Sequence, residues 1–130
     1  AFMELEVMGP MASLKPGGSS SLDITWGACK CSGVVSVKSH GVVAQKPEVI
    51  GDFIEAKFGV FYGGFLQEVY IDKNGKQKGY KNVMEVSPLS EVIVHQEYQK
   101  IVSYGYGIRY QLKAYGQETP GVLGELMFKK

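Results

Sequence analysis

The sequence lacks the features that mark a membrane-spanning protein. No stretch approaches the run of about 18 apolar residues that a transmembrane helix needs, so we expect no membrane insertion. We also expect no signal peptide within the given residues. The first residue is Ala1 in AFMELEV, which either signal-peptide cleavage or trimming of a longer chain leaves behind. On that basis we expect an extracytoplasmic protein, either secreted, periplasmic or at the cell surface.

A surplus of either charge is also missing. The chain has 14 Lys and Arg against 13 Asp and Glu, for a formal net charge of +1. Proteins that bind nucleic acid usually carry a basic surplus or a basic stripe. The lysines here are scattered, and only Lys73, Lys76 and Lys78 cluster, around a turn. We therefore expect no nucleic-acid partner.

Cysteine is scarce, with Cys29 and Cys31 in GACKCSG as the two examples. Residues i and i+2 of a strand point the same way, but a bridge between them closes a tight, strained loop. Free thiols, a Cys29–Cys31 bridge and bridges to another chain all stay open. With Met3, Met8 and Met11 the pair offers soft ligands for Cu(I), but Cys-x-Cys without a second pair is a weak metal signal. We predict no metal site and no cofactor.

Catalytic patterns are missing as well. His40 and His95 lie in no recognised nucleophile motif. The glutamates mostly occupy outward positions of predicted strands, which solvation explains without glycoside chemistry. The segment Asp72–Gly75 is similar to the start of a calcium loop, but Val83 stands where the bidentate Glu belongs. We predict no catalytic residue and no enzymatic activity.

What the sequence does contain is alternation with a period of two, which is typical of strands with one dry face. The clearest example runs through GYGIRYQLKAYG, where one parity carries Tyr106, Ile108, Tyr110, Leu112 and Ala114. Similar patterns predict strands near residues 3–7, 22–26, 35–37, 54–60, 65–71, 80–86, 91–97, 104–115 and 122–128. The pair Asn74-Gly75 predicts a type I′ hairpin turn, and a short turn is expected near residues 88–91.

About nine short strands at regular spacing indicate an all-β protein. The length of 130 residues is within the usual size of one domain, and no internal repeat or boundary is visible. We predict a single antiparallel β-sandwich over residues 1–130, immunoglobulin-like or jelly-roll-like, with eight or nine strands.

Two stretches resemble a known family. SSSLDITWGA (residues 19–28) resembles strand B of a fibronectin type III or related immunoglobulin-like domain, where a buried Trp ends the strand. YGIRYQLKAYG (residues 106–116) resembles strand F of the same fold. The interval between them is longer than a compact member of the family needs. The resemblance implies a role in binding or assembly and transfers no catalytic residue.

Aromatic residues supply the candidate contact surface. The stretch FGVFYGGF (residues 58–65) sets aromatic rings beside glycines, and Tyr is favoured at interfaces because it combines apolar area with a polar group. The candidate contact residues are Phe61, Tyr62, Phe65 and Tyr104, although a place in the core explains such residues equally well. We predict a non-enzymatic protein-binding or structural module.

Two alternatives use other parts of the chain. The stretch AFMELEV is either the first strand of the same sandwich or a strand that adds to a neighbouring subunit's sheet edge. In that second case Phe2, Met3, Leu5 and Val7 would be exchanged residues of a self-assembling filament, pilus or particle subunit. The other alternative is a small thiol or metal-binding protein that uses Cys29 and Cys31, or a small enzyme on the same fold with Cys29, Cys31 or His95 in its site.

Overall fold

A computed structural model describes residues 6–129, and nearly all of the regular secondary structure within them is β-strand. The elements are β1 (Ser36–Val37), β2 (Gly41–Ile50), β3 (Phe53–Val60), β4 (Gly64–Ile71), β5 (Gln77–Val86), β6 (Val92–Glu97), α1 (Tyr98–Val102), β7 (Gly107–Ala114) and β8 (Gly121–Met127). This confirms the predicted fold class.

The strands form two four-stranded antiparallel sheets that pack as a sandwich. The first sheet has the order β1-β2-β3-β6 and the second has the order β5-β4-β7-β8. Strand β2 also contacts β8, so the two sheets approach each other along that side. The edge strands are β1 and β6 in the first sheet and β5 and β8 in the second.

The core lies between the sheets and follows the period-two alternation. On β3 the inward residues Ile54 and Phe58 are fully buried. On β7 the inward parity predicted from sequence is confirmed for the four residues Ile108, Tyr110, Leu112 and Ala114, which are at most 2% exposed. Tyr106 differs, because it precedes β7 and is 43% exposed. Full burial of one large apolar side chain stabilises a fold by about 1.5–3 kcal/mol.

Strand β2 was not predicted from the sequence. It contains Pro47, which lacks the amide proton that a ladder needs and normally argues against a strand. In the structure the pairing of β2 with β3 shifts register between Gln45 and Glu48, so Pro47 sits at an irregularity where the missing donor is tolerated. Helix α1 was also missed, since five residues are too few to show a helical period.

The hairpin between β4 and β5 lies where it was predicted, but its turn is not type I′. That turn needs positive φ at two central residues. Only Gly75 has it, at φ +79°, and no described residue other than glycine has positive φ. Instead the Asp72 side chain accepts hydrogen bonds from the backbone N–H of Asn74 at 2.7 Å and of Lys76 at 3.0 Å. The aspartate therefore closes the turn from its side chain.

Residues 6–34, the N-terminal arm, contain no helix or strand in the structure. The predicted strand at 22–26 is therefore wrong, and Trp26 is 65% exposed, whereas the resemblance to strand B implies a buried Trp. Of the candidate exchange residues, Val7 is 52% exposed and in no strand. Phe2, Met3 and Leu5 lie outside the described residues.

Candidate functional site

The predicted aromatic contact residues occupy separate places on the sandwich. Phe61 and Tyr62 follow β3, and the Tyr62 ring packs edge-on against His40 at 5.5 Å between centroids. Phe65 lies in β4, and Tyr104 lies beyond α1. The four residues therefore do not form one continuous patch.

Phe65 and Tyr104 are each engaged by a second aromatic ring. Phe65 packs edge-on against Tyr115 at 5.7 Å, on the face of β4 opposite the core. Tyr104 is 52% exposed and packs on Tyr70 at 5.0 Å. Tyr104 thereby belongs to a polar pocket at the β5–β6 side, whereas Phe61 and Tyr62 belong to a groove beneath the arm.

The arm is fixed to the sandwich near residues 27–32. The Lys30 backbone N–H donates to the Pro88 carbonyl at 2.8 Å, and the Ser32 backbone N–H donates to the Glu91 carboxylate. The hydrogen bonds from Ser32 lower the pKa of the Glu91 carboxyl group, because they favour its charged form. These bonds attach the arm to the connection between β5 and β6.

Two glycines allow the arm to approach closely. A Cβ atom built on Gly27 would lie 2.9 Å from the Phe61 ring, and one on Gly59 would lie 2.5 Å from the Cys29 sulfur. Neither distance leaves room for a side chain. Gly59 lies on β3 between the buried Phe58 and Val60, on the opposite face of the strand, so the arm packs flat on bare backbone there.

The arm and the first sheet enclose an open groove, which we call the arm groove. Its volume is about 980 Å³. Its lining is mostly apolar and includes Trp26, Cys29, Val37, Val42, Phe61 and Tyr62. The cysteines are free and partly buried, and burial, followed by the neighbouring Cys31 thiol, raises the pKa of the Cys29 thiol.

Beyond its anchored segment the arm exposes most of its apolar side chains. Gly9 lies close to Leu22, because a Cβ built on Gly9 would be 3.7 Å from the Leu22 side chain. The arm therefore reverses direction between them. The reversal includes a turn in which the Gly18 N–H donates a 2.8 Å hydrogen bond to the Lys15 carbonyl. The apolar residues of the arm are 45–102% exposed and comprise Val7, Met8, Met11, Leu14, Leu22, Ile24 and Trp26.

A buried polar network lies between the two sheets. Glu68 on β4 is only 2% exposed, and its carboxylate accepts hydrogen bonds from the Tyr70 hydroxyl at 2.9 Å and from the Gln96 side-chain amide. The Tyr110 hydroxyl donates to the Gln96 carbonyl oxygen at 2.7 Å. Burial raises the pKa of both phenols, and so does the nearby Glu68 carboxylate. Both tyrosines therefore stay protonated as donors.

Above Glu68 lies a polar pocket of about 420 Å³. Its rim includes Tyr104, Lys81, Lys100 and His95. The His95 ring stacks on Phe53 at 4.1 Å and its Nδ1 lies 3.0 Å from the Glu55 carboxylate. Residues 6–129 contain no group of three or more His, Cys, Asp or Glu side chains placed to hold a metal ion. The pocket offers hydrogen-bonding groups of both charges, with Lys81 and Lys100 beside Glu68 and Glu97.

The polar network was missed from the sequence, although a signal was present. In FLQEVYI the acidic residue Glu68 falls on the same parity as the apolar Leu66 and on the inward face of β4. A carboxylate on the dry face of a strand is expected to have hydrogen-bonding partners. Gln96 carried the same signal, because it falls on the parity of the buried Val92 and Val94 in β6.

Comparison with known proteins assigns no family to this chain. No protein-family profile, no curated protein and no solved structure matches it. In the described part of the chain, no helix is long and apolar enough to cross a membrane. The arm, the arm groove and the polar pocket are the structural features that bear on function.

Proposed function

We propose that this chain is a non-enzymatic protein-binding or structural module whose contact element is the N-terminal arm. The observation that carries the proposal is the exposure of the arm's apolar side chains, which reaches 90% at Met8 and 65% at Trp26. Exposed apolar clusters of this kind mark interaction sites or aggregation hazards. Burial of the arm against another protein would remove this surface from water.

The arm groove supports the same proposal. Trp26 and Tyr62 line it, and both are partly accessible, at 65% and 37%. Trp and Tyr are the residues that most often carry binding energy at interfaces. Phe65 and Tyr104, which lie elsewhere, would then contribute to the sandwich and the polar pocket rather than to this contact.

The occupant that we favour is a second copy of the chain. The arm repeats apolar residues at alternate positions 22, 24 and 26, and the sheets end in the edge strands β5 and β6. A stretch with strand periodicity and a free sheet edge are the two halves of a strand-addition contact. Phe2, Met3, Leu5 and Val7 repeat the same alternation in the sequence and could add to the contact. The immunoglobulin-like topology and the extracytoplasmic location rest on the sequence alone.

Sedimentation across a range of concentrations tests this proposal. We expect the full chain to form concentration-dependent oligomers, and the triple variant Leu22→Ser, Ile24→Ser, Trp26→Ser to stay monomeric. A matched control removes exposed apolar side chains outside the arm, β5 and β6 instead, with Val49→Ser, Ile50→Ser and Leu89→Ser, which are 43%, 44% and 83% exposed. The control should assemble like the unmodified chain.

A monomeric full chain would exclude self-association and leave a different protein as partner. A photo-cross-linking residue at position 26, compared with one at position 80, then tests in the cells that produce the protein whether the arm contacts a different protein. A discrete adduct formed at 26 and absent at 80 supports the arm as the contact element. Equal labelling at both positions, or none at either, contradicts the proposal.

A further inference from the structure

The side chains of Cys29 and Cys31 share one side of the arm. Alternate residues of an extended chain point the same way, and both cysteines rest on the same glycine of β3. A Cβ at Gly59 would lie 2.5 Å from the Cys29 sulfur and 3.1 Å from the Cys31 Cβ. The structure therefore holds the two cysteine side chains next to each other against bare backbone.

The backbone around this pair is fixed at two points. The Lys30 N–H bond to the Pro88 carbonyl, at 2.8 Å, lies between the cysteines, and the Ser32 N–H bond to Glu91 lies directly after them. Fixed ligands bind more tightly because less conformational freedom is lost on binding. Both cysteines line the arm groove, which gives an entering ion a path from solvent.

The number of donors selects among metals. Within residues 6–129 no third His, Cys, Asp or Glu completes a cluster with this pair. Structural Zn²⁺ sites need four protein ligands, whereas Cu(I) prefers thiolates and is satisfied by two of them. We propose that Cys29 and Cys31 form a two-thiolate binding site for Cu(I).

The binding step is a ligand exchange. Each thiol releases its proton to solvent and the resulting thiolate sulfur donates an electron pair to the ion, so that one Cu(I) enters as two protons leave. No electron is transferred, and neither an oxidant nor a reductant takes part. The product carries one negative charge on the two-sulfur centre, beside Lys30 of the same stretch.

The chain contains its own reporter for this site. Trp26 is the single tryptophan, and it lines the same groove as both cysteines. An ion held by the two sulfurs would change its emission. This signal is independent of any metal assay and separates binding at the groove from binding elsewhere.

The test is a titration of the reduced full chain with Cu(I) against a chromophoric Cu(I) chelator. We expect a single ion per chain, with Trp26 emission changing in step, and no comparable binding of Zn²⁺. Cys29→Ser or Cys31→Ser should each lower the affinity by more than the ~10–100-fold that loss of an outer-shell partner costs. Neither position lies in a strand, so both variants should fold, which circular dichroism checks.

Two further variants test the geometry and the competing ligands. Gly59→Ala keeps both thiols but displaces them, so it should also weaken binding, whereas Gly79→Ala, whose Cβ would meet nothing closer than 4.0 Å, should not. Met8→Leu with Met11→Leu removes the exposed thioethers and should leave the affinity unchanged. Unchanged affinity in either Cys→Ser variant, or loss of binding in the Met variant alone, would overturn the proposal.

Discussion

The Tyr110 hydroxyl donates a 2.7 Å hydrogen bond to the Gln96 side chain, and this bond crosses the interior from one sheet to the other. Tyr110 belongs to β7 of the second sheet and Gln96 to β6 of the first. The amide of Gln96 in turn donates to Glu68 on β4. One glutamine therefore satisfies a buried phenol and a buried carboxylate, and it ties the edge strand β6 to the centre of the opposite sheet.

Replacing Gln96 by leucine should destabilise the fold. The substitution keeps the side-chain size but leaves the Tyr110 hydroxyl and one Glu68 oxygen without a partner, and each buried unsatisfied group costs about 1–3 kcal/mol, more when it is charged. We expect the free energy of unfolding, measured by urea denaturation, to fall by at least about 2 kcal/mol.

Two comparisons make that result specific. Ile93→Ala, at a 57% exposed position of the same strand, should change the free energy of unfolding by less than about 0.5 kcal/mol. Tyr110→Phe combined with Gln96→Leu should cost less than the sum of the single changes, because both remove the same bond. Strict additivity would show that the bond contributes nothing to stability.

The raised pKa values of Tyr70 and Tyr110 predict a stability that is lost in alkali. Both phenols ionise more readily in the unfolded chain, where their pKa is near the ordinary 10.0, than in the folded protein. The folded state thus holds more protons above that pH, so stability is full at neutral pH and falls as the pH rises past about 10. Tyr110 should dominate, because Tyr70 is only partly shielded from solvent.

Ultraviolet titration of the tyrosines, recorded alongside circular dichroism, measures this. We expect most of the eight tyrosines to ionise before unfolding, and the last to ionise together with it. Tyr110→Phe should reduce the alkaline loss relative to Tyr80→Phe, whose ring is 60% exposed. Complete ionisation in a chain that is still folded would contradict the burial of these phenols.

The sequence predicted those parts of the fold where one face of a strand is dry and the other wet. The parity of Ile108 and Leu112 sufficed for β7, since burial of one face requires that pattern. Strand β2 was missed because it contains Pro47, which normally argues against a strand. Pro47 is tolerated at a register shift, and that shift is visible only in the pairing of β2 with β3. The arm was mistaken for strands because Leu22, Ile24 and Trp26 alternate correctly but have no sheet to join within the chain.

The sequence predicted which residues belong to the candidate sites, but not which of them lie together in the fold. The sequence identified Cys29 and Cys31 as a pair of soft ligands. Their packing against Gly59 could not be predicted, because it depends on the arm crossing β3. Phe61, Tyr62, Phe65 and Tyr104 were grouped because they are aromatic. The fold separates them, because Tyr104 follows α1 at the far side of the sandwich from the arm groove. Contacts between residues that are distant in the sequence produce no periodic pattern that a single sequence could reveal.

The exposure of Trp26 predicts strong fluorescence quenching. With 65% of its side chain accessible in the isolated chain, acrylamide should quench it nearly as well as it quenches a free tryptophan derivative. If the arm pairs with a second copy, quenching should weaken as the protein concentration rises, because the ring becomes buried. Weak quenching at the lowest concentration would show instead that Trp26 is buried within one chain, as the strand B resemblance implies.

The environment of Cys29 predicts that its thiol reacts slowly with alkylating reagents. Burial raises its pKa above the ordinary 9.0 and the neighbouring Cys31 thiol adds to the effect, so little reactive thiolate is present at neutral pH. We expect Cys29, measured in the Cys31→Ser variant by iodoacetamide labelling and mass spectrometry, to react more slowly than an unfolded control and to accelerate as the pH rises. Gly59→Ala in the same background should increase the rate, because it lifts the sulfur from the strand that shields it. If Cys29 in the Cys31→Ser variant, with Gly59 unchanged, reacts with iodoacetamide as fast as in the unfolded chain, the packing of Cys29 on β3 is contradicted.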